Sequence, residues 1–121
     1  MARIVIVEDD SLVAMGMRIY LETRGHTILA VVSTGPQAVA AVLHDDPDLV
    51  LMDVRLKGEM DGIDAAQMIL ARRQVPIVFV SGSGEPQTLA RIRAVRPAGL
   101  LLKPVTPSDL AAEVERAAAV V

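Results

Sequence analysis

The chain has 121 residues, 52% hydrophobic and 2% aromatic, with a formal net charge of -3 and no cysteine. This suits one domain over residues 1–121, with no effector domain, around a core of Val, Leu, Ile, Ala and Met. It disfavours direct nucleic-acid binding, since Tyr20 and Phe79 are the only rings for stacking and no basic surplus exists, and it rules out disulfides and thiolate metal sites. The start runs straight into a strand pattern, so neither a leader nor membrane insertion is expected, and the cytoplasm is the expected location.

Arg3 to Val7 reads as a first strand, ending in Glu8, Asp9 and Asp10. Ser11 to Arg24 is a helix stopped by Gly25. Thr27 to Val32 is a second strand, and Thr34 with Gln37 begins a helix running through Leu43, with Pro36 in its first turn. Leu49-Val50-Leu51-Met52-Asp53 is an apolar run ending in a bare carboxylate, the pattern of a strand buried on both faces. A polar loop follows, and Asp61 caps a helix from Gly62 to about Arg72. Pro76 to Val80 is the fourth strand, with the Ser81-Gly82-Ser83-Gly84 turn after it. Pro86 opens a helix through Arg96, and Gly99 to Leu102 is the fifth strand before Lys103-Pro104. Thr106-Pro107-Ser108-Asp109 starts a last helix with Leu110, Val114, Ala117 and Val121 on one stripe.

Strands alternating with helices in this way predict an α/β fold, a flavodoxin-like doubly wound parallel sheet of five strands with five helices. In such a sheet the residues just past strands one, three, four and five share one rim, which gathers Glu8, Asp9, Asp53, Ser81 and Lys103. Crowded carboxylates repel one another unless a hard, oxygen-seeking cation sits among them, and Mg2+ is the natural ion, with Mn2+ as the alternative. A carboxylate beside such an ion can attack a phosphoryl group and form an acyl phosphate. The Ser81 hydroxyl and the Lys103 ammonium suit the oxygens of that group.

With these residues in order, the sequence is similar over essentially its whole length to the receiver domain of two-component response regulators. Glu8-Asp9 resembles the acidic pair, Met52-Asp53 the phosphoacceptor position, Ser81-Gly82 the hydroxyl residue with its small neighbour, and Lys103-Pro104 the lysine with its proline. The resemblance implies strand order 2-1-3-4-5 and Mg2+-dependent phosphotransfer from a histidine kinase or histidine phosphotransfer protein to Asp53, followed by conformational switching and slow self-dephosphorylation. Glu8, Asp9, Asp53 and the backbone carbonyl of Arg55 are the implied metal ligands, and Lys103-Pro104 an implied cis bond. It further implies that the phosphodonor docks on helix one near Asp53 and that a downstream protein reads the face of helix four, strand five and helix five. On this reading the chain is a stoichiometric phosphoacceptor rather than an enzyme.

The sequence departs from the family pattern at Leu100, where an aromatic switch residue is usual, and in the loop Val54 to Gly62, which is one residue longer than the commonest form and has Lys57 where Pro is usual. Two other functional classes stay open beside the phosphoacceptor switch. One is an interaction module with the receiver shape that works without phosphorylation; the other is a phosphatase using Asp53 as nucleophile, disfavoured by Arg55 standing where a general acid is needed. Ser81-Gly82-Ser83-Gly84 lacks the Walker spacing of a nucleotide loop. His26 and His44 read as surface residues, Met15, Met17, Met52 and Met68 as core filler, and Arg91, Arg93 and Arg96 as a solvated helix face. The first helix carries Leu12, Val13, Met15, Met17, Ile19, Tyr20 and Leu21, more apolar circumference than one sheet face needs.

Overall fold

The structure is a computed structural model that describes residues 1–119. Five strands, β1 (Arg3–Val7), β2 (Thr27–Val32), β3 (Leu49–Asp53), β4 (Ile77–Ser81) and β5 (Gly99–Leu102), pair in parallel in the order β2-β1-β3-β4-β5. Between and after them run α1 (Ser11–Thr23), α2 (Gly35–Asp45), α3 (Gly62–Leu70), α4 (Pro86–Ala94) and α5 (Pro107–Ala119). This is the flavodoxin-like order that the sequence predicts, with β1 and β3 flanking the point where the winding reverses.

Successive side chains of a strand point to opposite faces, so each central strand supplies two cores. Val5, Val7, Val50, Met52, Ile77 and Phe79 pack with Ala38 and Val42 of α2, Ile63 and Ile69 of α3, and Ile92 of α4. Ile4, Ile6, Leu49, Leu51, Val78 and Val80 pack on the other face with Ala14 and Leu21 of α1 and Leu110 and Val114 of α5. Val121, expected on the α5 stripe, lies outside the described residues.

The caps explain where the helices begin. The Asp10 carboxylate accepts from the amides of Leu12 and Val13, so the third acid of the run caps α1. Thr34 accepts from the Gln37 amide, but Gln37 reaches back to the Ser33 amide rather than to Thr34 itself. Asp61 and Asp64 form a reciprocal capping box at α3. Gly25 has φ +91°, as a left-handed helix stop requires.

Several expectations need correcting. α4 ends at Ala94 instead of running through Arg96, because Pro97 has no amide to donate to the Arg93 carbonyl. β4 begins at Ile77 and takes in Ser81, which pairs with Leu102. α3 stops at Leu70, where the amides of Arg72 and Arg73 both turn back to the Ile69 carbonyl. His26 is buried, not a surface residue: its Nδ1 accepts from the Ala2 amide at 3.1 Å and its Nε2 lies 3.3 Å from Glu115 Oε2. Met52 is core, but Met15 and Met68 are 55% and 47% exposed, so half of the methionine set is not filler. Arg91 is exposed but not merely solvated, since it bonds Asp61 and Asp64 of α3.

Candidate functional site

Four strand ends build one acidic cavity of about 580 Å³, lined by Glu8, Asp9, Asp53, Arg55, Ser81 and Lys103 among others. The rim therefore brings together every residue that the sequence assigns to it. Asp53 stands at the last position of β3, a strand buried throughout, and is itself 4% exposed. Glu8, directly after β1, is 3% exposed, and its Oε2 accepts from the Asp10 amide at 3.2 Å. Ligand oxygens of Glu8, Asp9 and Asp53 all lie within 4.8 Å of one another.

Lys103 answers part of this crowding. Its Nζ donates to Glu8 Oε1 and to Asp53 Oδ2, both at 3.2 Å. Burial pulls the ammonium toward neutrality, but the Asp53 and Glu8 carboxylates outweigh it and hold its pKa above that of an ordinary lysine. Burial, followed by the neighbouring Asp53 carboxyl, pushes Glu8 above the ordinary glutamate range. One ammonium thus leaves the cluster short of positive charge. An all-oxygen donor set this close, with Glu8 raised by burial and by its neighbour, fits a hard divalent cation.

The hydroxyl of Ser81 is buried and engaged within its own turn, donating to the Ser83 carbonyl and accepting from the Ser83 amide, each at 3.1 Å. Arg55 is exposed on the cavity wall. The loop it belongs to is anchored at both ends. Leu56 is buried in the core, the backbone of Lys57 bridges to Thr34, and Gly58 takes φ +90°. At its far end the Gly62 amide donates to the Val54 carbonyl at 2.7 Å, and a Cβ at residue 62 would overlap the Asp53 carbonyl oxygen. The Lys103-Pro104 bond is cis. Leu100 is partly buried against the core that holds Ile92 and Phe79.

The family model for the response regulator receiver domain matches residues 4–115. The chain belongs to the response regulator receiver family. It is therefore a receiver domain of the kind used in two-component signalling, a class whose members bind Mg2+ in an acidic pocket and interact with histidine kinases or phosphotransfer proteins. It is 35% identical to the transcriptional regulatory protein PdtaR of Mycobacterium tuberculosis over 95% of this chain and 56% of that protein. With the phyllosphere-induced regulator PhyR of Methylorubrum extorquens it shares 30% identity over 94% of this chain and 42% of that one. The chain thus spans about half the length of the curated relatives it matches. Among solved structures, the signal receiver domain of a modulated diguanylate cyclase from Desulfovibrio desulfuricans superposes with a TM-score of 0.91 at 35% identity, covering 98% of this chain and 94% of that one.

Residues that sequence reasoning missed lie at the mouth of the receiver's cavity. Asp61 and Arg91 line it, and they pair with each other. Asp61 was legible as a helix cap, but nothing local in the sequence joins it to Arg91, 30 positions away.

Proposed function

We propose that this receiver is a stoichiometric phosphoacceptor, not a turnover enzyme, that takes a phosphoryl group from a phosphohistidine onto Asp53 in the cytoplasm. The observation that carries the reading is the double contact of Lys103 with Glu8 and Asp53 inside a cluster of three carboxylates. A cation there, held by Glu8, Asp9, Asp53 and the Arg55 carbonyl, supplies charge neutralisation for an incoming phosphoryl group; Mg2+ is the ion of choice and Mn2+ the alternative. The Asp53 carboxylate attacks phosphorus, the phosphorus–nitrogen bond of the donor breaks, and the imidazole nitrogen leaves with the electron pair. Lys103, already bonded to Asp53, turns to a phosphoryl oxygen. Ser81 reaches the group by giving up its bonds to Ser83, which frees the turn before α4. Hydrolysis returns Asp53 to its free form: water attacks phosphorus, the bond to Asp53 breaks, the carboxylate leaves with the electron pair and inorganic phosphate is released. That step is slow because the residue two past Asp53 is Arg55, which cannot act as a base toward the water.

The donor is a histidine kinase or histidine phosphotransfer protein that docks on α1. Support comes from Leu12 and Val13, 77% and 38% exposed beside the capping Asp10, and from the cleft they line with Lys103, Pro104 and Leu110. The face of α4, β5 and α5, where Leu102 is 51% exposed, is the readout surface for a downstream protein. A phosphorylation-independent interaction module is the second reading, favoured by Leu100, which already packs against the core and leaves no ring to rotate inward.

Incubation with acetyl phosphate and Mg2+, read by intact mass, separates the two. Phosphorylation adds about 80 Da, and the gain should vanish with Asp53→Asn or on chelation of the metal. Wild-type protein that gains no mass under these conditions leaves the interaction module as the reading.

A further inference from the structure

The helix α4 is lightly held. Ile92 is its sole buried residue, and its N-cap Glu85 makes no side-chain capping bond. The residue next to Ile92 supplies the other tie. Arg91 Nη1 donates to Asp61 Oδ2 at 2.8 Å, while Nη2 donates to Asp61 Oδ1 and Asp64 Oδ1, each at 3.3 Å. These two carboxylates are the halves of the α3 capping box, so one guanidinium fastens both of them. Burial works to raise the Asp61 carboxyl, but the bonds from Arg91 and the Asp64 amide prevail and hold it below the usual aspartate range. Asp61 therefore carries a full negative charge at the mouth of the cavity that contains Asp53.

Behind this pair lies the site itself. The capped start of α3 rests on the end of β3 through the Gly62 amide, and the loop bearing Arg55 is strung between them. Lys103 is committed to Glu8 and Asp53. Arg91 is thus the cation that offsets Asp61, and both line the cavity that contains Asp53.

We propose that Arg91 sets the charge around the chemistry at Asp53, acting through Asp61: its guanidinium cancels the Asp61 charge on the wall of the cavity that holds Asp53. This rests on the phosphoacceptor reading and deepens it. Without the guanidinium, Asp61 adds an unpaired negative charge to a cavity where Lys103 alone already leaves Glu8, Asp9 and Asp53 short of positive charge. A divalent cation then binds more tightly, while an anionic phosphodonor is repelled. Opposite movements of the two affinities are the signature of this role, because a loosened site weakens both.

The test uses Arg91→Gln, Arg91→Lys and the double variant Arg91→Gln/Asp61→Asn, in which Asn still caps the helix. Mg2+ affinity is measured on the amide resonances with MgCl2 alone, and KM and kcat are measured with acetyl phosphate as donor. For Arg91→Gln we expect Mg2+ to bind roughly two- to fivefold more tightly and the donor KM to rise by a similar factor, the effect of one partly exposed charge, with kcat little changed. Arg91→Lys should stay near wild type, and adding Asp61→Asn should restore both constants. Unchanged constants in Arg91→Gln, weakening of both, or no restoration in the double variant overturns the proposal. If the wild-type chain takes no phosphoryl group, the phosphoacceptor reading fails by itself, and the Mg2+ titration alone decides the charge role of Arg91.

Discussion

Replacing Asp53 by Asn should stabilise the metal-free protein while abolishing its phosphorylation. Ligand oxygens of Glu8 and Asp9 each lie within 4.8 Å of one on Asp53, so each like-charge pair costs at least about 3.5 kcal/mol at an effective permittivity of ~20. The Lys103 ammonium at 3.2 Å offsets about 5 kcal/mol on the same scale. Two repulsions thus exceed one attraction by about 2 kcal/mol, and solvent around the partly exposed Asp9 screens this to about 1 kcal/mol. Asn keeps an acceptor for Lys103 and removes the charge. The corresponding rise in Tm is roughly 3–6 °C for a chain of this size, read by circular dichroism in EDTA. Saturating Mg2+ should narrow or reverse the gap, since the ion binds the wild-type carboxylates better. An Asn variant that melts at or below wild type in EDTA would refute the reasoning, because the Asp53 charge would then not be held at a cost.

Three further outcomes follow from other parts of the molecule. Gly62→Ala places a methyl group on the Asp53 carbonyl and should lower stability by about 1–3 kcal/mol; an unchanged urea midpoint contradicts the close approach. Val13→Glu should slow transfer from a phosphohistidine donor roughly fivefold, as for a contact worth about 1 kcal/mol, while leaving acetyl phosphate labelling intact; equal loss of both counts against docking on α1. The depressed Asp61 carboxyl contributes stability that is fully present above its unfolded value near 3.8 and is lost as pH falls through its lower folded value. The stability difference between wild type and Arg91→Gln, about 0.5–1 kcal/mol for so exposed a pair, should therefore hold at pH 7 and close below pH 3.8; a gap that persists in acid excludes this ion pair as its source.

The site was readable from sequence because its residues sit at strand ends, where an apolar run stops at a polar side chain. Asp53 and Lys103 are 50 positions apart, yet the parallel order of the strands alone puts them on one rim. His26 was misread for the opposite reason. Its partners come from residue 2 and from α5, 24 and 89 positions away, and no local pattern distinguishes such a histidine from a solvated one. Met15 and Met68 show that apolar spacing marks a helix face without saying how much of that face the sheet can cover. The end of α4 was legible in Pro97, but the Arg91 to Arg96 pattern suggested a longer helix. Arg91 itself looked like one of three equivalent arginines, and only the packing of α4 against α3 singles it out.

The contact of Gly62 with the Asp53 carbonyl divides the cavity into unequal walls. On the α3 side, main chain lies directly on main chain, so the acceptor strand has no room to shift when its side chain is loaded. Across from it, Gly82 and Gly84 have open space around them, and the turn is held by light polar contacts, the two bonds of the Ser81 hydroxyl to Ser83 and one from the Glu85 amide to the Ser83 hydroxyl. A group added at Asp53 thus meets fixed main chain on the α3 side and yielding space on the side of β4 and α4, which makes the first wall an anvil and the second the place where a displacement would be looked for.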